Sequence, residues 1–187
     1  MNPFRASTVL LFALALMAGC GDDDKKPTAP AANPNRVWVE SQTVSPGDTA
    51  HVQIKIRNAE AVWAIQVTLQ FTGTGCTVDS VCFGDVLPAQ IADATWRDYD
   101  PEPLRVNMIS TTLLPLNPGE EWLFATIDVC IAPDAEAQEI VIDDYSYIAE
   151  SDGDMILHHV TFLTIEGLQP KEIYPEFVSG KITVAVP

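Results

Sequence analysis

Taken at every second residue, the stretch Trp63 to Phe71, WAIQVTLQF, separates into an apolar row and a neutral one. Trp63, Ile65, Val67, Leu69 and Phe71 form the first, and Ala64, Gln66, Thr68 and Gln70 the second. Successive side chains of a β-strand point to opposite faces, so the first row lines a core and the second faces something else. Upstream, after the turn signal SPGD at 45–48, Ala50, Val52, Ile54 and Ile56 alternate with His51, Gln53, Lys55 and Arg57. The short run VDSVCF reads as a strand, and in LRVNMIS Leu104, Val106 and Met108 alternate with Arg105, Asn107 and Ile109. EWLFATIDVCI puts Leu123, Ala125, Ile127, Val129 and Ile131 on one side. Trp122 and Phe124 then fall on the outward row, where they are expected to lie under a loop or the N-terminal segment. QEIVIDDYSYI, MILHHVTFL and GKITVAV complete the strand-like runs, and IADATW comes nearest to a helical pattern. Many short strands separated by Pro and Gly signals predict an all-β sandwich or barrel.

The second row of WAIQVTLQF carries no charge. A strand that meets only water is usually given Lys and Glu, whereas neutral amides and hydroxyls are desolvated against a partner at lower cost than charges. This row is therefore a candidate binding surface.

The chain begins with one early Arg5, an apolar run from Val9 to Met17, and Ala18 and Gly19 directly before Cys20. The run is far shorter than the roughly 20 residues of a spanning helix, so residues 1–19 read as a cleaved export signal. Their ending resembles the lipobox of bacterial lipoproteins, in which a diacylglycerol is attached to the cysteine thiol and cleavage leaves that cysteine first. That family prefers Leu three residues before the cysteine; Met17 holds the place here and Leu16 precedes it. The resemblance implies a lipoprotein anchored through Cys20, exported, and facing the periplasm or the cell surface. Each buried lipid methylene contributes about 0.8 kcal/mol, and two or three chains on one cysteine anchor stably. Residues 20–36 comprise this cysteine and GDDDKKPTAPAANPNR, which has no large apolar side chain and cannot offset its ordering entropy, so it reads as a disordered leash.

The domain of 37–187 is long enough for a good core. Removing Asp22, Asp23 and Asp24 from the 26 carboxylates leaves 23, and removing Arg5, Lys25, Lys26 and Arg36 from the ten basic residues leaves six, a formal charge of −17. Nucleic acid and anionic bilayers are excluded as partners, and membrane contact is expected only through the lipid.

Catalytic patterns are missing. His158 and His159 are adjacent, so in a strand they face opposite ways, and His51 is the remaining histidine; no zinc site follows. There is no GxSxG, HExxH or phosphate-cradling glycine loop, and nothing marks two carboxylates as an acid and base pair. The expectation is a protein that is not an enzyme and has no cofactor, calcium excepted. For calcium, Asp152 and Asp154 of SDGD are the candidates, although the same sequence makes an ordinary turn. Trp96 and Tyr99, in ATWRDYDPEP, either stack on a sugar ring or pack one edge of the sandwich.

With Cys20 acylated, Cys76, Cys82 and Cys130 remain, giving one disulfide and one leftover thiol, or none. Were 77–81 fully extended, the Cα atoms of Cys76 and Cys82 would lie about 20 Å apart at about 3.3 Å per residue, beyond the roughly 7 Å limit for a bridge. Either that segment is bent, or Cys130 pairs with one of the two.

Several stretches, in order and spacing, resemble the cohesin domain family. PGDTAHVQIKIRN, a short turn, WAIQVTLQF and VDSVCFGDVL are similar to its opening strands, WLFATIDVCI to its seventh, and VSGKITV to its closing strand. The resemblance implies a β-sandwich of about nine strands with jelly-roll topology, a fold shared with some carbohydrate-binding modules. Its relatives are cellulosomal modules that bind dockerins through the outer face of the sheet holding the third, fifth, sixth and eighth strands. Carried over to this chain, that face comprises Ala64, Gln66, Thr68 and Gln70, joined by Arg105 and Asn107. The family's fourth and seventh strands are neighbours, which makes a bridge to Cys130 feasible. Phe71 and Thr72 stand where members often have Tyr-Asp, and 151–175 exceeds the usual length, with MILHHVTFL suggesting an extra hairpin. The chain has no pair of Asp-rich calcium loops each followed by a helix, so a dockerin-type partner is supplied in trans.

The expected function is thus a lipid-anchored binding module that captures a protein partner. The alternatives are a carbohydrate-binding module for a polysaccharide, or a structural component of an extracellular complex. From the outward position of the neutral row, Gln66→Lys and Thr68→Arg are expected to leave the fold intact. Cys20→Ser is predicted to abolish lipid labelling and release the protein into the unanchored exported fraction; membrane retention of that variant in a fractionation would refute the lipoprotein reading.

Overall fold

The alternating runs become strands, and no helix occurs among the described residues. The computed structural model describes residues 33–84, 91–101, 104–119, 121–151 and 154–186, with the backbone alone for 91–101, 112–113, 149–151 and 154. Two sheets carry the core. The first is built on β3 (Thr49–Arg57), with β1 (Arg36–Val39) on one edge and β8 (Glu121–Ile131) on the other. It is completed by β5 (Cys76–Phe83) beyond β8 and β14 (Glu176–Val178) beyond β1. The second is built on β4 (Val62–Thr72), whose one edge pairs with β7 (Leu104–Leu116), which in turn pairs with β6 (Ile91–Pro101). The IADATW segment is therefore strand, its alternation set by pairing with β7.

The other edge of β4 is shared by β9 (Gln138–Asp144) and β12 (Thr161–Glu166). These read as one strand broken by an insertion. Asp144 lies opposite Leu69, so a continuous strand would bring residue 147 opposite Gln66; Thr161 stands there instead, 14 residues later. The inserted length forms a separate hairpin of β10 (Tyr147–Ser151) and β11 (Asp154–His158), and β12 forms a further hairpin with β13 (Gln169–Ile173). The extra length expected after residue 151 is thus two hairpins, and the first begins before that point.

The first and last strands change sheet along their length. β1 and β14 pair in parallel in one sheet, while β2 (Gln42–Val44) and β15 (Gly180–Val184) pair in parallel in the other. Such breaks, with the two hairpins, raise the number of strand segments to fifteen among the described residues, against the expected nine or so.

The core follows the pleat. Ala50, Val52, Ile54 and Ile56 face Ile65, Val67, Leu69 and Phe71, and all eight are buried. Two bulges correct the simple alternation. Ile54 is opposite Ala125 but Lys55 is opposite Leu123, so Phe124 is an extra residue in β8. The bulge reverses the facing of the strand beyond it. Phe124 is consequently buried and packs edge-on against Phe83, at 5.6 Å between centroids, and Trp122 packs against the core opposite Ile56, instead of pointing outward. A second shift at Val62 to Ala64 buries Val62 and leaves Trp63 only half-buried.

All three described cysteines are free. Cys76 pairs with Ile131 and Thr77 with Cys130, so Cys76 and Cys130 are one register step out of line and point to opposite faces of neighbouring strands. The feasible bridge to Cys130 does not form, and burial pushes the Cys76 thiol pKa up.

At the sheet crossing, a Cβ on Gly180 would stand 2.6 Å from Val39 Cγ1 and 2.7 Å from its carbonyl oxygen. Backbone cannot yield as a flexible side chain does, so Gly180→Ala is predicted to cost about 1–3 kcal/mol by overpacking. Urea denaturation should show a lower midpoint at an unchanged slope; an unchanged midpoint would mean that the crossing is looser than the distances indicate.

Candidate binding face

Opposite residues of an antiparallel pair share a face. The register of β4 with β7 sets Gln66 opposite Ile109, Thr68 opposite Asn107 and Gln70 opposite Arg105. Ala64, Gln66, Thr68, Gln70, Arg105 and Asn107 are thereby brought together on the side of the sheet away from the sandwich core, and the row is neutral apart from Arg105.

This face is not open. Thr68 is 1% exposed and Asn107 6%. What covers them is the protein's own insertion. Tyr145 N–H donates to Thr68 O at 3.1 Å, and Thr68 Oγ1 donates back to Tyr145 O. Asn107 Nδ2 donates to the Tyr147 hydroxyl at 3.1 Å, and Gln66 Nε2 lies 2.9 Å from His158 Nδ1, which accepts. The rings stack in sequence across the face. The Arg105 guanidinium lies 4.2 Å from the Tyr145 centroid, Tyr145 stacks on Tyr147 at 5.6 Å, and Tyr147 stacks on His158 at 4.7 Å. Cation–π and offset-stacked contacts of this kind contribute about 0.5–1.5 kcal/mol each beyond area burial. Burial, and then the neighbouring His159, hold the His158 pKa below its ordinary value, consistent with a neutral ring accepting from Gln66.

The expectation that Thr68 is a free outward position is therefore corrected. It points away from the core, yet Tyr145 closes over it. Ala64, Gln66, Gln70 and Arg105 remain half-buried.

The other site candidates lie apart. In register Trp96 is opposite Met108 and Tyr99 opposite Arg105, but their side chains lie outside the described residues, as does the sugar-stacking reading. Asp152 and the side chain of Asp154 are outside them too. No group of three or more His, Cys, Asp or Glu assembles for a metal among the described residues.

On the opposite sheet lies a polar cluster that the strand pattern does not signal. His51 Nδ1 lies 2.6 Å from Asp128 Oδ1, and Ser80 Oγ donates to Asp128 Oδ2 at 2.8 Å. The two hydrogen bonds, His51 first, hold the Asp128 carboxyl below its usual range. Serine and histidine both bond the carboxylate rather than each other, so the histidine does not activate the hydroxyl, as a nucleophilic triad requires. Only the register, which aligns His51, Asp128 and Ser80 across three strands, reveals this cluster.

No protein-family model matches the chain, and no curated protein matches it in sequence. Solved structures do match. The seventh ScaB type I cohesin from Pseudobacteroides cellulosolvens is 15% identical, with a TM-score of 0.61 over 82% of this chain and 93% of that one. A chain of the Coh-OlpA–Doc918 complex, a type I cohesin–dockerin complex from Clostridium thermocellum, is 12% identical, with a TM-score of 0.60 over 82% and 100%. A non-cellulosomal cohesin from the archaeon Archaeoglobus fulgidus is 12% identical, with a TM-score of 0.55 over 81% and 91%. The fold is that of a cohesin-like β-sandwich.

Because Thr68 is enclosed, Thr68→Arg is predicted to destabilise the domain by about 1–3 kcal/mol, through displacement of Tyr145 and loss of a buried hydrogen bond. Equilibrium denaturation of the purified variant measures this, and wild-type stability would place Tyr145 away from the face.

Proposed function

We propose that this chain is a cohesin-like binding module, tethered by a lipid on Cys20, that captures an exported protein of dockerin type supplied in trans. The observation that carries this reading is the cohesin-like sandwich extending over most of the chain, matched by cohesins solved in complex with dockerins. The part of the outer row that is only half-buried, Ala64, Gln66 and Gln70, supports it, since these neutral side chains are desolvated at low cost. The partner approaches this side of the molecule and meets the half-buried Ala64, Gln66, Gln70 and Arg105 together with the hairpin that stands over them. Catalysis has no part in it: the clustered His51, Asp128 and Ser80 lack the arrangement of a nucleophilic site.

Titration calorimetry against recombinant modules with duplicated Asp-rich calcium loops, taken from exported proteins of the same organism, tests the proposal. Saturable one-to-one binding that is lost on chelating the calcium of the module is the expected outcome. Failure of every such module to bind would remove the dockerin-type partner and leave the fold untouched.

A further inference from the structure

The β10–β11 hairpin is patterned inside out. Tyr147 and His158, opposite each other in register, turn their polar and aromatic groups toward the sheet. The next register positions face the other way. There Ile148 stands opposite Leu157, with Met155 two residues along, and their exposures are 61%, 53% and 69%. A strand pair with one wet side ordinarily puts polar residues on that side. Here three aliphatic side chains form a row on the surface, the pattern of an interaction site. The aromatic stack and the bonds to Gln66 and Asn107 hold the hairpin in place, so the row is presented on a fixed support.

The charge of the domain selects the partner. Residues 37–187 carry 23 Asp and Glu against six Lys and Arg, and Glu150 stands opposite Met155 in register. Among the described cations, Lys171 pairs with Glu166, Lys181 with Glu139, and the Arg105 guanidinium lies over the Tyr145 ring. A second copy of the chain would bring two strongly acidic domains together, and an anionic bilayer would be repelled in the same way. We propose that Ile148, Met155 and Leu157 form a docking row for a protein segment whose apolar residues are flanked by Lys and Arg. The apolar residues cover the row while the basic flanks are drawn by the net negative charge of the domain and steer the encounter. The inference deepens the binding-module reading and rests on it, but it does not require the partner to be a dockerin.

The test uses the mature chain, wild type and the triple variant Ile148→Ser, Met155→Ser, Leu157→Ser, with two fluorescent peptides as probes. Both peptides carry the same leucine face, one with Lys flanks and the other with Glu flanks. Anisotropy should report binding of the Lys peptide that weakens with salt, no binding of the Glu peptide, and a loss of about tenfold or more in the triple variant at unchanged circular dichroism. Should the triple variant fail to fold, Met155→Ser alone, at the most exposed of the three positions, should still weaken binding about threefold. Equal binding by variant and wild type, or equal binding of both peptides, overturns the proposal. So does binding to phosphatidylcholine vesicles that the same substitutions abolish, since the row would then face a membrane. The calcium-loop modules separate the two readings. Undiminished capture of such a module by the triple variant sinks the docking row and leaves the module reading. Binding of the Lys peptide through the row, with no module captured, does the reverse.

Discussion

Every edge group and both faces of β4 must be satisfied, because this strand lies inside its sheet. On one edge β7 pairs along almost its whole length; on the other, β9 and β12 share the work with a gap between them. Chain inserted at that gap has to leave the plane of the sheet beside the middle of β4. Thr68 receives it there, its backbone and side chain both bonded to Tyr145. From that point the insertion folds back over the outer face, and the position of the hairpin follows from where the edge pairing is interrupted.

The neutrality of the outer row acquires a second physical meaning from this arrangement. A Lys or Glu at Thr68 would be sealed beneath Tyr145 without a counter-ion, at a cost of several kcal/mol. Short amides and hydroxyls bond to the tyrosines and histidine that cover them instead. Coverage is incomplete in its bonding, since Asn107 Oδ1 and Arg105 Nε are buried without a hydrogen-bond partner among the described residues. The surface displaced from the sheet reappears on the hairpin, with its apolar side turned outward.

The sandwich was legible because its signal is periodic. Period-two alternation in β3, β4 and β8 places most core residues, and a turn signal such as SPGD, where Gly47 takes a φ of 85°, ends the runs. Trp122 and Phe124 depart from the alternation because a single extra residue inverts a strand's facing and leaves no mark in the local pattern. Thr68 escapes for a different reason: alternation tells which side a residue takes, but not what lies on that side. The hairpin that covers it is distant in sequence, and its own alternation looks like that of any strand until register shows which half is turned to the sheet. His51, Asp128 and Ser80 were hidden in the same way, on three separate strands. The cysteine pairing turned on one register step, a distinction finer than strand order.

The paired first and last strands also decide how the sandwich bears load. Chain entering at residue 33 runs directly into β1, which is bonded on one edge to β3 and on the other to β14. Ladder bonds lie across the strand direction, so tension along β1 is divided among all of them at once and is resisted in shear, instead of opening them one after another as in peeling. The lock continues at Gly180, where the terminal strand passes so close to Val39 that sliding one past the other must first part the two backbones. A domain wired in this way is suited to holding its shape while one end of the chain is fixed and something pulls on the rest.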